Sequence, residues 1–205
     1  MEQQTVHLFV FDTLSDWEPS YAVAGINTST FQKQPGRFRV KTVSLDDQPI
    51  ITAGGITVLP NMTLDKLDPE QSAMLILPGG RHWDDGKNME AAAKAKGFLA
   101  AGVPVAAICG ATAGLARAGV LDVMRHTSNA PEYLAATRYL GGALYQNEPA
   151  VTDGKLITAG ATGALEFARE IFKLLGVYGA EKLDAWYGLF KTGNPAFYGA
   201  LMQGG

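Results

Sequence analysis

Cysteine is nearly absent from this chain of 205 residues, and histidine is scarce: one Cys and three His. One cysteine cannot close an intrachain disulfide, so a disulfide-stapled fold is excluded and a reducing, cytoplasmic compartment fits. No His-x-x-His or paired Cys–His spacing occurs, so no metal site and no cofactor are expected. Basic residues are not in excess: 17 Lys and Arg against 20 Asp and Glu give a net charge of -3, which leaves no electrostatic footprint for nucleic acid. The start, Met1-Glu2-Gln3-Gln4-Thr5, has neither the basic segment nor the apolar core of a signal peptide. Gly97 to Ala116 carries no charge, but Pro104 and glycines 97, 102, 110 and 114 break it, and a membrane helix is not expected. Gly-x-Gly-x-x-Gly does not follow the first apolar run, and the stretch from Gly80 to Asn88 lacks the spacing of a phosphate loop.

What is present is an alternation of short apolar runs with helix-forming stretches. Thr5–Phe11, Phe38–Ser44, Met74–Leu77 and Val103–Ile108 read as strands, and the continuous apolar character of the last two suits strands covered on both faces. Ile50–Ile51 and Ile56–Leu59 flank a glycine turn, and Val151–Thr152 and Leu156–Thr158 flank Asp153-Gly154, two hairpin signals. Glu18 to about Phe31, Asn88–Ala101, Ala111–Ala118, Pro131–Tyr139 and Ala164–Leu175 read as helices; the last presents Leu165, Ala168, Ile171, Phe172 and Leu175 on one face. This pattern predicts an α/β fold, a three-layer α/β/α sandwich around a mainly parallel sheet, with ligands at the carboxyl ends of the strands. A hydrophobic share of 47 % suits one domain over residues 1–205: a core of about 5–176, then a C-terminal helix and an aromatic tail, 177–205.

Cys109 occupies the most informative position. A buried strand runs straight into it, Gly110 follows, and a helix begins. A strand that turns sharply into a helix holds the turn residue at the sheet edge, facing the free N–H groups of the helix, whose dipole favours a thiolate. Gly79-Gly80 closes another buried strand; Gly80 and Gly110 are candidate backbone donors to an oxyanion. Glu18 follows the first strand and is a candidate carboxyl beside the thiol, raised in pKa by burial; Asp16 competes for that place. His7 reads as structural, whereas His82 and His126 are candidate bases. Asp16, Trp17 and Trp83 are expected around the pocket.

Leu77-Pro78-Gly79-Gly80, Ala106 to Ala111 with Ile108-Cys109-Gly110 at its centre, Gly119-Val120-Leu121 and Thr127-Ser128 resemble the ThiJ/PfpI family. Asp153 to Ala159 and Glu166-Phe167-Ala168 look like its last strand and helix, so the resemblance covers about residues 5 to 176. Tyr187-Gly188 and Gly193-Asn194-Pro195 are similar to bacterial members known loosely as amidotransferases or proteases. The resemblance implies a flavodoxin-like fold of the class I glutamine amidotransferase type and a homodimer. It also implies Cys109 as nucleophile, Glu18 as the acidic residue beside it, and Gly80 and Gly110 as donors. The chain departs from the pattern. Gly110 stands where protease-like members place His, Asn129 where deglycase-like members do, which implies Asn129 at the pocket, and Ala159–Gly163 lacks the His-x-Glu of glutaminases. The base is then His126, His82 or Glu18. Three expectations follow: a cysteine enzyme acting on a small carbonyl, amide or thioester; a redox or stress sensor, or chaperone-like protein, working through oxidation of Cys109; and a non-catalytic binding module.

Overall fold

The computed structural model describes residues 3–202; Met1, Glu2 and 203–205, part of the expected single domain, lie outside the described residues. The chain forms β1 (Gln4–Phe9), α1 (Trp17–Asn27), β2 (Phe38–Ser44), β3 (Ile50–Ile51), β4 (Thr57–Val58) and β5 (Met62–Thr63). Two 3-10 turns, Leu64–Lys66 and Pro69–Gln71, lead to β6 (Met74–Leu77), α2 (Arg81–Asp84), α3 (Met89–Ala100), β7 (Val105–Ile108), α4 (Gly110–Arg117) and α5 (Pro131–Ala135). Then come β8 (Ala150–Asp153), β9 (Leu156–Ala159), α6 (Ala164–Leu175), α7 (Ala180–Thr192) and α8 (Pro195–Met202).

Seven strands make one sheet in the order β5-β2-β1-β6-β7-β9-β8, and every pairing is parallel except β8 with β9. β3 and β4 form a separate antiparallel hairpin. Every residue of β6, β7 and β9 is buried, as continuous apolar strands require when helices cover both faces. On one face α1 packs against α6, which lies on β7, β8 and β9; on the other α3 lies on β6 and β7, and α2 and α4 pack together. The chain is thus the three-layer, mainly parallel α/β/α sandwich expected. The uncharged stretch 97–116 divides into the end of α3, β7, the Cys109 turn and α4, and no helix among the described residues is long and apolar enough to cross a membrane.

Boundaries differ where local backbone chemistry intervenes. The helix expected to reach Phe31 stops at Asn27, because Thr28 is extended and Phe31 sits at φ 68°. The helix expected to reach Tyr139 stops at Ala135, and Arg138 lies at φ 61°. The expected C-terminal helix is α7, whereas β5, α2 and α8 were not foreseen as separate elements. β5 has two residues and α2 a single turn, too short to show a period. Parallel order brings the carboxyl ends of β1, β6 and β7 to one edge, and the site lies there.

Candidate active site

β7 delivers Cys109 to that edge. Its N–H still donates to the Ala159 carbonyl at 2.9 Å, continuing the ladder with β9. Its own backbone then breaks from the strand, at φ 57° and ψ -124°. A non-glycine residue in so sparsely populated a region costs about 1–3 kcal/mol and needs neighbours that enforce it. Those neighbours are visible. The Cys109 carbonyl accepts from the Thr112 N–H at 3.1 Å and from the Thr112 hydroxyl at 2.6 Å. That hydroxyl is also 2.6 Å from the Ser128 hydroxyl, so α4 is fastened to the loop that carries Asn129. Sequence reasoning missed Thr112 and Ser128; a threonine three residues after a turn cysteine was the available signal.

Glu18, on the first turn of α1, is 1 % exposed. Its Oε2 accepts from the Gly79 N–H at 2.5 Å, while Oε1 has no partner at full hydrogen-bonding geometry among the described residues. Gly79 is glycine for want of room: a Cβ there would lie 2.6 Å from Cys109 Cβ and 2.7 Å from Glu18 Oε2. Gly80 is glycine for another reason, a φ of 153° with the Phe11 ring and the Thr13 backbone against it. Burial raises the Glu18 carboxyl to about 7, against the pull of the Gly79 N–H and of its polar neighbours Cys109 and Ser15.

Burial opposes the resting thiolate expected at this turn. Burial, then the Glu18 charge, push Cys109 up to about 12; Asn129 and the Gly110 N–H favour the thiolate but do not win. The helix N-terminus alone therefore does not ionise this sulfur. While Glu18 is charged, Cys109 holds its proton. The half-buried sulfur and the carboxyl thus accommodate one negative charge between them.

The other candidates separate. Asn129 is at the thiol: its Nδ2 donates to Cys109 Sγ at 3.4 Å, and its Oδ1 is held by the Ala161 N–H at 2.9 Å. His126 is not brought to it. Fully buried, it has Nδ1 2.7 Å from the Met124 carbonyl and Nε2 3.0 Å from the Tyr139 hydroxyl, packed between the Tyr139 and Tyr145 rings. Both ring nitrogens are occupied, so His126 as base is corrected to a structural role. The His82 ring stacks on Phe11 and makes no hydrogen bond to Cys109 among the described residues. Asp16 accepts from the Gly54 N–H at 2.7 Å and ties the β3–β4 turn to the start of α1, so the place beside the thiol goes to Glu18 alone. Trp17 is 60 % exposed on the surface of α1. Trp83, expected to line the pocket, is fully buried instead; its Nε1 donates to the Pro78 carbonyl at 2.9 Å and its ring fills the space over Gly114.

Tyr133 was missed. Its hydroxyl donates to Asp84 Oδ1 at 2.6 Å, and burial, Asp84 and the nearby Cys109 all raise its pKa. Beside Asn129 a cavity of about 480 Å³ opens between Ser128, Glu148, Gly160 and Thr162. Among the described residues no cluster of three His, Cys, Asp or Glu is placed to hold a metal ion.

Comparison with known proteins agrees with this construction. Residues 4–174 match the DJ-1/PfpI family. The chain is 38 % identical to the uncharacterised protease YoaZ of Bacillus subtilis, over 99 % of this chain and 98 % of that protein. It is 33 % identical to a deglycase of Thermococcus kodakarensis, over 59 % of this chain and 73 % of that one. The crystal structure of a ThiJ/PfpI family protein from Bacillus anthracis superposes with a TM-score of 0.91 at 38 % identity, covering 98 % of each chain. With the parallel sheet, the strained turn cysteine and the buried glutamate on the page, these matches establish that the chain belongs to the DJ-1/PfpI family.

Proposed function

We propose that the chain is a homodimeric cysteine-nucleophile enzyme acting on a small carbonyl, amide or thioester, with Glu18 as its proton carrier. The observation that supports this most is the contact of a buried, unsatisfied carboxyl with a half-buried thiol on a strained turn. Relatives named protease and deglycase support a hydrolase-like reading.

Above pH 7 the resting pair is Glu18 carboxylate and Cys109 thiol. As sulfur attacks the carbonyl carbon, Glu18 takes the thiol proton and the C=O electron pair moves to oxygen. The N–H groups of Gly80 and Gly110 are the proposed donors to that oxygen, and Asn129 steadies the sulfur. Glu18, now neutral, returns its proton: to the oxygen when the substrate is an aldehyde, giving a hemithioacetal, or to the departing nitrogen or sulfur when it is an amide or thioester. In the second case water then hydrolyses the acyl–sulfur bond. Desolvation makes Glu18 suited to the task, since a carboxyl near 7 both takes and gives a proton at neutral pH.

Oxidation of Cys109 in a redox sensor starts from the thiolate, which burial and the Glu18 charge oppose. Turnover of a panel of small aldehydes, amides and thioesters by the wild type and by Cys109→Ala is the test. The reading expects at least a 1,000-fold loss in the variant, of the order seen when a nucleophile is removed; unchanged turnover contradicts it.

A further inference from the structure

A groove of about 730 Å³ opens away from Cys109, at the amino-terminal end of the sheet. Its position follows from topology. Residues in register on neighbouring strands point to the same face. Thr5 pairs with Arg39 and His7 with Lys41, so these four side chains share a face. Phe9, two residues beyond His7, meets the Phe11 and Trp83 rings, which identifies it as the face of α2, α3 and α4. Those helices cover β6 and β7, but the crossover from β2 to β6 contains a hairpin and two 3-10 turns and no α-helix. The amino-terminal halves of β1 and β2 are therefore left uncovered there, with Lys66 and Ser72 of the crossover as a wall.

The groove gathers cations in a chain whose net charge is -3. Arg39 and Lys41 stand about 7 Å apart along β2, two residues on one face. The side chains of Arg39, Lys41 and Lys66 make no hydrogen bond or ion pair among the described residues; exposed Asp65 is the electrostatic neighbour of Lys66. Two carboxylates also line the groove: Asp68, whose Oδ1 is engaged by the Glu70 N–H at 3.0 Å, and Glu70, exposed at the rim. Asp68 and Glu70 offset part of this positive charge, and an anion seated between the three cations offsets the remainder.

His7 adds selectivity. It is 4 % exposed, with Nδ1 2.8 Å from Ser72 Oγ. That hydroxyl gives its own hydrogen to the Met74 carbonyl at 3.1 Å, so Nδ1 carries the ring proton and Nε2 is left as an acceptor. An acceptor among cations suits an anion that still holds a proton. Phosphate monoesters, with a second pKa near 6, and inorganic phosphate keep a fraction of P–OH near neutrality, whereas sulfate and carboxylates are fully ionised there.

We propose that this groove binds a phosphate-bearing small molecule, with Arg39, Lys41 and Lys66 on the phosphate oxygens and His7 Nε2 accepting the P–OH hydrogen. The site is independent of Cys109. Titration calorimetry of the full chain at pH 6.5 and constant ionic strength tests it, with inorganic phosphate, phenyl phosphate and sulfate as probes. Saturable one-to-one binding of both phosphates is expected, with sulfate at least fivefold weaker, Arg39→Gln and Lys41→Gln each weakening phosphate about fivefold to tenfold, and Cys109→Ala unchanged. Arg39 is exposed, so its variant tests the site without disturbing the core. Absence of saturation, equal affinity for phosphate and sulfate, or unchanged affinity in both cation variants overturns the proposal. Self-association of Arg39→Gln with phosphate affinity retained also overturns it, since those cations would then only be guarding the strand edge.

Discussion

Glu18 is a carboxyl held almost wholly out of water, and its proton is linked to folding. Its pKa rises from an ordinary 4.5 to about 7 on folding. The folded state therefore binds the Glu18 proton more tightly than the unfolded chain does. That contribution is fully present below about 4.5 and is lost as pH rises through 7, on the order of 3 kcal/mol in all. Glu18→Gln removes the titration. Urea midpoints at pH 4.5 and pH 8 should show the variant gaining on the wild type as pH rises; an equal difference at both values would mean that Glu18 is not desolvated. At this scale Glu18 and Cys109 were legible in the sequence, because each follows an apolar run at the same sheet edge. The role of His126 was not: nothing in Arg125-His126-Thr127 tells that Tyr139 and Tyr145 close over the ring. Asn129 was found only by counting from the cysteine along a family pattern.

β6 and β7 end side by side, and the site depends on how closely α1, α2 and α4 approach those ends. Gly79 is the contact point. Gly79→Ala must push Cys109, Glu18 or the Gly110 N–H aside, and overpacking of this kind costs about 1–3 kcal/mol. Thr112→Val leaves the Cys109 carbonyl and the Ser128 hydroxyl one partner short, costing about 1–2 kcal/mol. Denaturant unfolding of both variants checks these values; a neutral Gly79→Ala would show that the turn has slack. The strands were legible because four-residue apolar runs such as Met74–Leu77 have no other home than a doubly covered sheet. α2 was not, since one turn carries no period. Nor was α8, whose residues read as a tail although the Phe197 ring packs against Gly188 of α7.

The whole molecule leaves Trp17, Tyr21 and Phe190 as an exposed aromatic cluster across α1 and α7, with Tyr21 and Phe190 ring centroids 5.4 Å apart. Such a surface suits the homodimer proposed above. Sedimentation velocity of the wild type is expected to give twice the chain mass, and Phe190→Glu to shift it to the monomer. A monomeric wild type would contradict the assembly and leave the chemistry at Cys109 untouched. The overall architecture was legible from alternation alone. The groove at the far end was not, because it arises from a helix that the β2–β6 crossover lacks and from register between strands distant in sequence.

The shared charge of Cys109 and Glu18 is measured most directly by the rate of Cys109 alkylation with iodoacetamide from pH 6 to 11, in the wild type and in Glu18→Gln. The wild-type rate should keep rising beyond pH 9 without a plateau, as a thiol pushed up to about 12 requires. The variant, relieved of the neighbouring carboxylate, should react at least fivefold faster at pH 8. A wild-type plateau below pH 8, unchanged by Glu18→Gln, would mean that the sulfur is ionised without regard to Glu18, and the account would fall.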